Sequence, residues 1–289
     1  MKKYILSSSI ALGIFICVLT YITCVMRTQG FFYKKIHSLY AYDSRWDFGM
    51  PNPEQASLLE KVSTQIFSPL GSGKECYAFV SEDGEIVIKF FKQKHMRTRY
   101  ILNFLPLSKG IRMIRNETLN RHRHRRLRLY QSYQLAHERL QDHTGVLYLH
   151  LTKTNYLKKP ITLLSPRGKK LVLKLDDMEF LIQKRARHIF NVLSESPEKG
   201  KQIIDALLDY LTLRNARGIG DNDTNCEKNL GILNGKAIQI DVGELYPAVP
   251  VSPSKEELTT ATLDLKDYLE RNHFELVSYL DQSIENHCR

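Results

Sequence analysis

The sequence predicts an α+β fold in which strands and helices are segregated along the chain. Two patterns carry that expectation. Short runs rich in β-branched and aromatic residues recur between residues 64 and 183, separated by turn signatures. Helical periodicity then dominates from residue 198 onward. Strands first and helices after is the α+β order, not the alternation of a parallel α/β sheet. With 289 residues, 43% hydrophobic and 25% charged, the chain can bury a sizeable core and is no disordered tail.

Residues 4–26 carry no charge and follow Lys2 and Lys3. As a helix of 1.5 Å per residue they would span about 34 Å, enough for the roughly 30 Å hydrocarbon core of a bilayer. Thr23-Cys24-Val25-Met26-Arg27 is a poor cleavage site, and Tyr21-Ile22-Thr23 before Cys24 is a poor lipobox. Both favour an uncleaved single-pass anchor over a cleaved signal. Lys2, Lys3 and the amino terminus on one side nearly balance Arg27, Lys34 and Lys35 on the other, which leaves orientation open.

Residues 27–63 read as a linker, one that can pack on the domain, with a short helix. The linker is aromatic-rich, holds the only tryptophan (Trp46) and breaks at Pro51-Asn52-Pro53; the helix covers 54–62. Strands are expected at 64–70, 76–81 and 85–91, the last two joined through Glu82-Asp83-Gly84. A long helix follows over 111–141. Four more strands are expected at 145–151, 161–164, 171–175 and 178–183, with Pro166-Arg167-Gly168 turning the middle pair. A helix over 198–217 carries Ile203, Ile204, Leu207, Leu208 and Leu211 at helical spacing and stops at Gly218. Ser254 with Glu257 forms a capping box for a terminal helical region over 255–286.

Charge and cysteine usage exclude several classes. The cysteines (Cys17, Cys24, Cys76, Cys226, Cys288) form no C-x-x-C pair, which argues against a zinc ribbon or a disulfide framework. His122 and His124 have no cysteine or carboxylate partner at ligand spacing and read as surface residues. The net charge of +11 is concentrated: twelve Lys or Arg lie between Lys92 and Arg128 against Glu117 alone. That patch implies an anionic partner. Beside the apolar stretch 100–107, the basic region 97–128 reads as a surface for anionic lipid. The arginine run 121–128 lacks the interleaved aromatics of a single-strand platform, which disfavours nucleic acid.

Two stretches carry the chemistry. Leu70-Gly71-Ser72-Gly73 sits between two strands, and the next strand runs to Lys89. Glycines let backbone N–H groups approach phosphate closely, and a strand-borne lysine supplies a fixed cation. Downstream come Asp221, Asp223 and Asn229, then a hairpin turning at Asn234-Gly235, then Asp241-Val242-Gly243. The hairpin would bring Asn229 and Asp241 to one end of two paired strands, where both can reach one metal ion. A carboxylate that ends an apolar strand is costly without a cation. D-x-D-x-N also opens an EF-hand loop, but its sixth position is Cys226 instead of Gly and its twelfth is Ile232 instead of Glu.

In order and spacing these parts resemble the protein-kinase-like superfamily, nearer its small, divergent bacterial branches, over roughly residues 64–245. The resemblance implies a two-lobed fold, with a strand-rich N-lobe (64–186, including the basic helix 111–141) and a small helical C-lobe (187–289), binding ATP in the cleft. It also implies that Gly71, Ser72 and Gly73 cover the phosphates and that Lys89 pairs with them. Asn229 and Asp241 would bind Mg2+, and Asp223 or Asp221 would be the catalytic base, Asp223 preferred. Glu138 is favoured over Glu117 as the partner of Lys89. The chain departs from the family pattern where Cys76 replaces the third glycine and where no H-R-D is present. Forty-eight residues follow Asp241, fewer than protein kinases use for an activation segment and its helices. A small-molecule, lipid-linked or unusual protein acceptor is therefore expected. The expected activity is that of a membrane-anchored ATP-dependent phosphotransferase. The alternatives are a kinase-fold binding module without catalysis and a basic nucleic-acid-binding protein.

Overall fold

The computed structural model describes residues 30–93 and 108–288, together with residues 14–20 and 22–23. In chain order the helices and strands are α1 (Pro53–Thr64), β1 (Ile66–Ser72), β2 (Cys76–Val80), β3 (Ile86–Phe91), α2 (Lys109–Arg139), α3 (Gln141–Thr144), β4 (Val146–His150), β5 (Pro160–Leu164), β6 (Lys170–Lys174), β7 (Phe180–Lys184), β8 (Arg187–His188), α4 (Ile189–Glu195), α5 (Gly200–Ala216), β9 (Ile219–Asp221), α6 (Cys226–Asn229), β10 (Leu230–Leu233), β11 (Lys236–Gln239), β12 (Leu245–Pro247), α7 (Lys255–Ala261), α8 (Leu263–Asn272) and α9 (Val277–His287). The fold is α+β, as expected, and it divides into two compact units. One comprises Met1–Arg97 with Thr152–Phe180, the other Thr98–Leu151 with Leu181–Arg289.

The first unit is built on a sheet in which β3, β2, β1, β5 and β6 are successive neighbours. The β2–β3 hairpin turns at Gly84, whose φ of 74° is open to glycine at no steric cost. Asp83 closes that turn by accepting from Ser81 Oγ at 2.6 Å and from the Glu85 N–H at 3.0 Å. Cross-strand partners share a face. Tyr77 and Phe79 on β2, with Ile88 and Phe90 on β3, are therefore buried together on one side. Phe31 meets the Tyr77 and Phe79 rings edge-on, each at 5.2 Å. The segment expected as a linker is thus part of this core: Phe31, Ile36 and Trp46 are buried, and the Tyr77 hydroxyl donates to the Gly30 carbonyl at 2.7 Å. Asn52 within the Pro51-Asn52-Pro53 break is the N-cap of α1, in a reciprocal capping box with Gln55.

The second unit gathers helices around a core that includes Ile204, Leu207, Leu208 and Tyr210 of α5, Leu258 of α7, Leu265 and Leu269 of α8, and Leu280 and Ile284 of α9. The Ser254–Glu257 capping box starts α7. The expected terminal helical region over 255–286 comprises three helices, α7, α8 and α9. The basic helix α2 groups with this unit because its C-terminal half is anchored there. Ser132 Oγ donates to the Val242 carbonyl and accepts from the Leu245 N–H at 2.7 Å. The N-terminal half of α2 leaves Ile111, Met113 and Ile114 exposed beside Arg112 and Arg115.

Among the described residues no helix is long and apolar enough to cross a membrane. Most of the expected anchor 4–26 lies outside the described residues, and helical residues 14–20 are exposed along their length. The apolar stretch 100–107, with Arg97 and Arg99, also lies outside them.

Candidate functional site

In the first unit, strand register sets the geometry of the glycine loop. Gly71 on β1 pairs with Ala78 on β2, and Ala78 pairs with Lys89 on β3. Gly71, Ala78 and Lys89 therefore form one row across the sheet, on the face opposite Tyr77, Phe79, Ile88 and Phe90. The register slips between Pro69 and Gly71, a bulge that bends β1 just before the loop. A Cβ placed on Gly71 or Gly73 would meet nothing within 4 Å. Neither glycine has a positive φ, so neither is required by backbone conformation or by packing within the chain. Their smallness keeps the loop surface bare, as close approach by a ligand backbone or phosphate demands. Lys92 crosses the loop: its Nζ donates to Ser72 Oγ at 2.8 Å and to the Gly73 carbonyl at 2.5 Å, and lies 4.2 Å over the Tyr77 ring. Sequence reasoning counted Lys92 only as part of the basic patch. It is twenty positions from Ser72, and only the pairing of Cys76 with Phe91 brings them together.

In the second unit the hairpin forms as expected. Leu230 pairs with Gln239 and Leu233 with Lys236, around a turn in which Asn234 (φ 53°) and Gly235 (φ 77°) are both left-handed. Such a turn matches the right-handed twist of the strands. Asn229 and Asp241 flank its open end, where the Asn229 carbonyl accepts from the Ile240 N–H at 2.6 Å and from the Asp241 N–H at 3.4 Å. The Asn229 amide nitrogen donates to the Asp223 carbonyl at 2.9 Å. Asp241 is exposed; one of its oxygens accepts from the Gly243 N–H at 3.1 Å. Strand β12 returns beside β9, pairing Leu245 with Asp221 and Tyr246 with Gly220. Gly220 is required there, since a Cβ would come within 2.3 Å of the Tyr246 ring.

The two aspartates of the loop occupy opposite environments. The Asp221 side chain is 3% exposed and paired with Arg214 at 3.1 Å. The same oxygen, Oδ2, accepts from Gln239 Nε2 at 2.7 Å, and Oδ1 accepts from the Asp223 N–H at 3.0 Å. Burial pushes the Asp221 carboxyl pKa up, against the opposing pull of the Arg214 guanidinium and these donors. Asp223 is exposed, with one oxygen capping the Asn225 N–H at 3.4 Å. Arg214, Asp221, Asp223, Asn225, Asn229 and Gln239 line one recess of this unit. Asp221 is thus enclosed by donors while Asp223 reaches solvent. Glu138 is exposed on α2 and accepts from Gln134 at 2.8 Å.

The metal question turns on donor chemistry. Among the described residues no group of three or more His, Cys, Asp or Glu could hold an ion. One carboxylate with one amide oxygen is too thin a set for a dedicated protein cage. It fits Mg2+, which keeps several waters and binds through one or two carboxylates plus substrate phosphates. Cys226, the position that breaks the EF-hand pattern, is buried in the core and donates its thiol to the Ala261 carbonyl at 3.0 Å.

Sequence reasoning missed Arg214, Gln239, Tyr210 and Ser132. The Tyr210 hydroxyl is buried and donates to Gln239 Oε1 at 2.5 Å; burial pushes its pKa up. The available signal was polarity in apolar settings: Gln239 interrupts the run Ala237-Ile238, and Arg214 lies on the leucine-rich face of α5.

No family model and no curated protein matches the sequence. Among solved structures, the chain is similar to Rv3197 of Mycobacterium tuberculosis in complex with erythromycin, at 15% identity and a TM-score of 0.33, over 84% of this chain and 62% of that one. It is similar to WbdD in complex with a kinase inhibitor, at 14% identity and a TM-score of 0.35, over 75% of this chain and 44% of that one. A third is the ADP-bound aminoglycoside phosphotransferase APH(2'')-Ib, at 11% identity and a TM-score of 0.28, over 82% of this chain and 86% of that one. The chain thus spans less than two thirds of the first two.

Proposed function

We propose that this chain is a kinase-like, ATP-dependent phosphotransferase that works with Mg2+ near a membrane surface. The observation that carries the reading is the open end of the β10–β11 hairpin. There Asn229 and Asp241 offer oxygen ligands, and Asp223 is tied to Asn229 through its own carbonyl. A hard cation with bound phosphates completes such a donor set, and an exposed carboxylate beside it can take a proton from an acceptor hydroxyl. Gly71, Ser72 and Gly73 with Lys89 supply the second requirement, bare backbone and a fixed cation for the phosphates. Asp223 is the base in this reading, since the Asp221 oxygens are taken up by Arg214, Gln239 and the Asp223 N–H. The apolar run 4–26 and the basic region 97–128 support a membrane location, single-pass, with anionic lipid as partner.

Phosphate transfer from ATP, measured as ADP release with and without candidate acceptors, tests the reading with two variants. Asp223→Asn is expected to lower turnover by roughly 10² or more, in the range of general-base effects, with ATP affinity kept. Lys89→Ala is expected to abolish transfer with the fold intact. Full activity in both variants refutes the assignment.

A further inference from the structure

The recess of the second unit contains a polar side chain that contacts both functional segments. Gln239 Nε2 donates to Asp221 Oδ2 at 2.7 Å and to the Asp241 carbonyl at 3.0 Å, while its Oε1 accepts from the Tyr210 hydroxyl. Asp221 in turn holds the Asp223 N–H through Oδ1 and Arg214 through Oδ2. Arg214, Asp221, Asn229 and Gln239 are all buried or nearly so. Each bond has a direction that fits only one arrangement of donors and acceptors. An unpaired charge or amide at this depth is strongly unfavourable, so the members hold one another in place.

From this geometry we infer that Arg214, Asp221 and Gln239 form a positioning clamp that sets the distance between the base Asp223 and the magnesium-binding end at Asp241. The clamp rests on the phosphotransferase reading above for the roles of Asp223 and Asp241. Neither Gln239 nor Arg214 touches substrate in it. Gln239 carries the link, because its amide nitrogen binds the loop carboxylate and the backbone of Asp241 at once. Loss of this link leaves both segments with their own local turns, Asp223 to Asn225 and Asp241 to Gly243, but with no shared reference.

A donor–acceptor exchange tests it. In Gln239→Glu the new carboxylate keeps the acceptor for Tyr210 but faces the Asp221 carboxylate. In Asp221→Asn the new amide faces the Gln239 amide. The double variant Asp221→Asn/Gln239→Glu restores a donor opposite an acceptor between these two positions and keeps one negative charge beside Arg214, but the new carboxylate at 239 cannot donate to the Asp241 carbonyl, so the link to that segment stays broken. Two readouts are taken on the full chain: kcat and KM for ATP across a magnesium titration, and amide hydrogen exchange of segments 221–225 and 240–244. Each single variant is expected to lose tenfold or more in kcat with KM for ATP within about twofold, and to exchange faster in both segments together. The double variant is expected to regain protection in 221–225 only and to keep the kcat loss, because the bond to the Asp241 carbonyl is still missing. Unchanged kcat or faster exchange in one segment only in the single variants, or recovery of kcat in the double variant, overturns the clamp. If the parent transfers no phosphate, the phosphotransferase reading fails by itself; exchange then decides the clamp, joint loosening in the single variants with recovery confined to 221–225 in the double variant supporting it, and loosening of one segment alone or joint recovery overturning it. Should Asp221→Asn not fold, Gln239→Glu, which keeps its bond to Tyr210, and Gln239→Met carry the same comparison.

Discussion

Asp241→Asn separates a metal ligand from a turn residue. In the structure Asp241 does one visible local job: its carboxylate accepts the Gly243 N–H at 3.1 Å. An asparagine amide oxygen can take that bond, so the turn, the Ser132 anchor to Val242 and the hairpin should survive, with a stability change within about 0.5 kcal/mol. The charge is what changes. A unit charge against a divalent ion at about 2.1 Å is worth about 4 kcal/mol even at the dielectric of bulk water, before the cost of the displaced water is set against it. If a third of that survives as net binding, the loss is about 1.4 kcal/mol, or tenfold in the magnesium requirement. The assay is a titration of ATP binding by calorimetry at a series of magnesium concentrations, on the parent and on Asp241→Asn, with thermal melts as the fold control. The expected result is a tenfold or larger shift of the magnesium midpoint with nearly equal binding at saturating metal. Superimposable magnesium curves would mean that Asp241 only closes its turn, and the nucleotide-site reading of the second unit would fall with it.

Two further outcomes follow from other parts of the chain. Tyr210→Phe removes the donor to Gln239 Oε1 and leaves that buried oxygen without it. A loss of about 1–3 kcal/mol is expected, lowering the melting temperature by roughly 2–4 °C per kcal/mol for a domain of this size; an unchanged melt would show that Gln239 finds another partner. Arg112→Ala/Arg115→Ala/Arg123→Ala tests the lipid surface on α2: at about 1 kcal/mol per basic residue, partition onto phosphatidylserine vesicles should fall on the order of a hundredfold, with binding to neutral phosphatidylcholine vesicles unchanged. Equal partition of parent and variant onto anionic vesicles would remove the patch from membrane binding.

Local chemistry was readable where neighbouring residues determine the structure. Asn234-Gly235 between two apolar runs specifies a two-residue hairpin because both positions need a positive φ. Once that turn is set, register alone carries Asn229 and Asp241 to the same end. Gly84, Gly218 and the Ser254–Glu257 box mark their turns and helix ends for the same local reasons. The terminal region reads as helical throughout because periodicity continues across its breaks, and the chain interrupts it at Thr262 and His273 to fold α7, α8 and α9 around one core. The segment 30–52 was read as a linker since nothing local reveals that Phe31, Ile36 and Trp46 fill the first unit's core.

The sequence by itself determined the α+β class, the order of the glycine loop, the lysine strand and the carboxylate hairpin, and the turn that joins Asn229 to Asp241. Each depends on contacts within a few residues or on strand alternation, which a linear pattern records. Only the tertiary structure decided which aspartate is enclosed and which reaches solvent. Asp221 and Asp223 are two positions apart and look alike in the chain. What distinguishes them is Arg214 on the preceding helix and Gln239 on a strand eighteen positions later. Burial and hydrogen bonding belong to the folded surroundings of a side chain, and two carboxylates of identical chemistry are separated there into an anchor and an exposed acid.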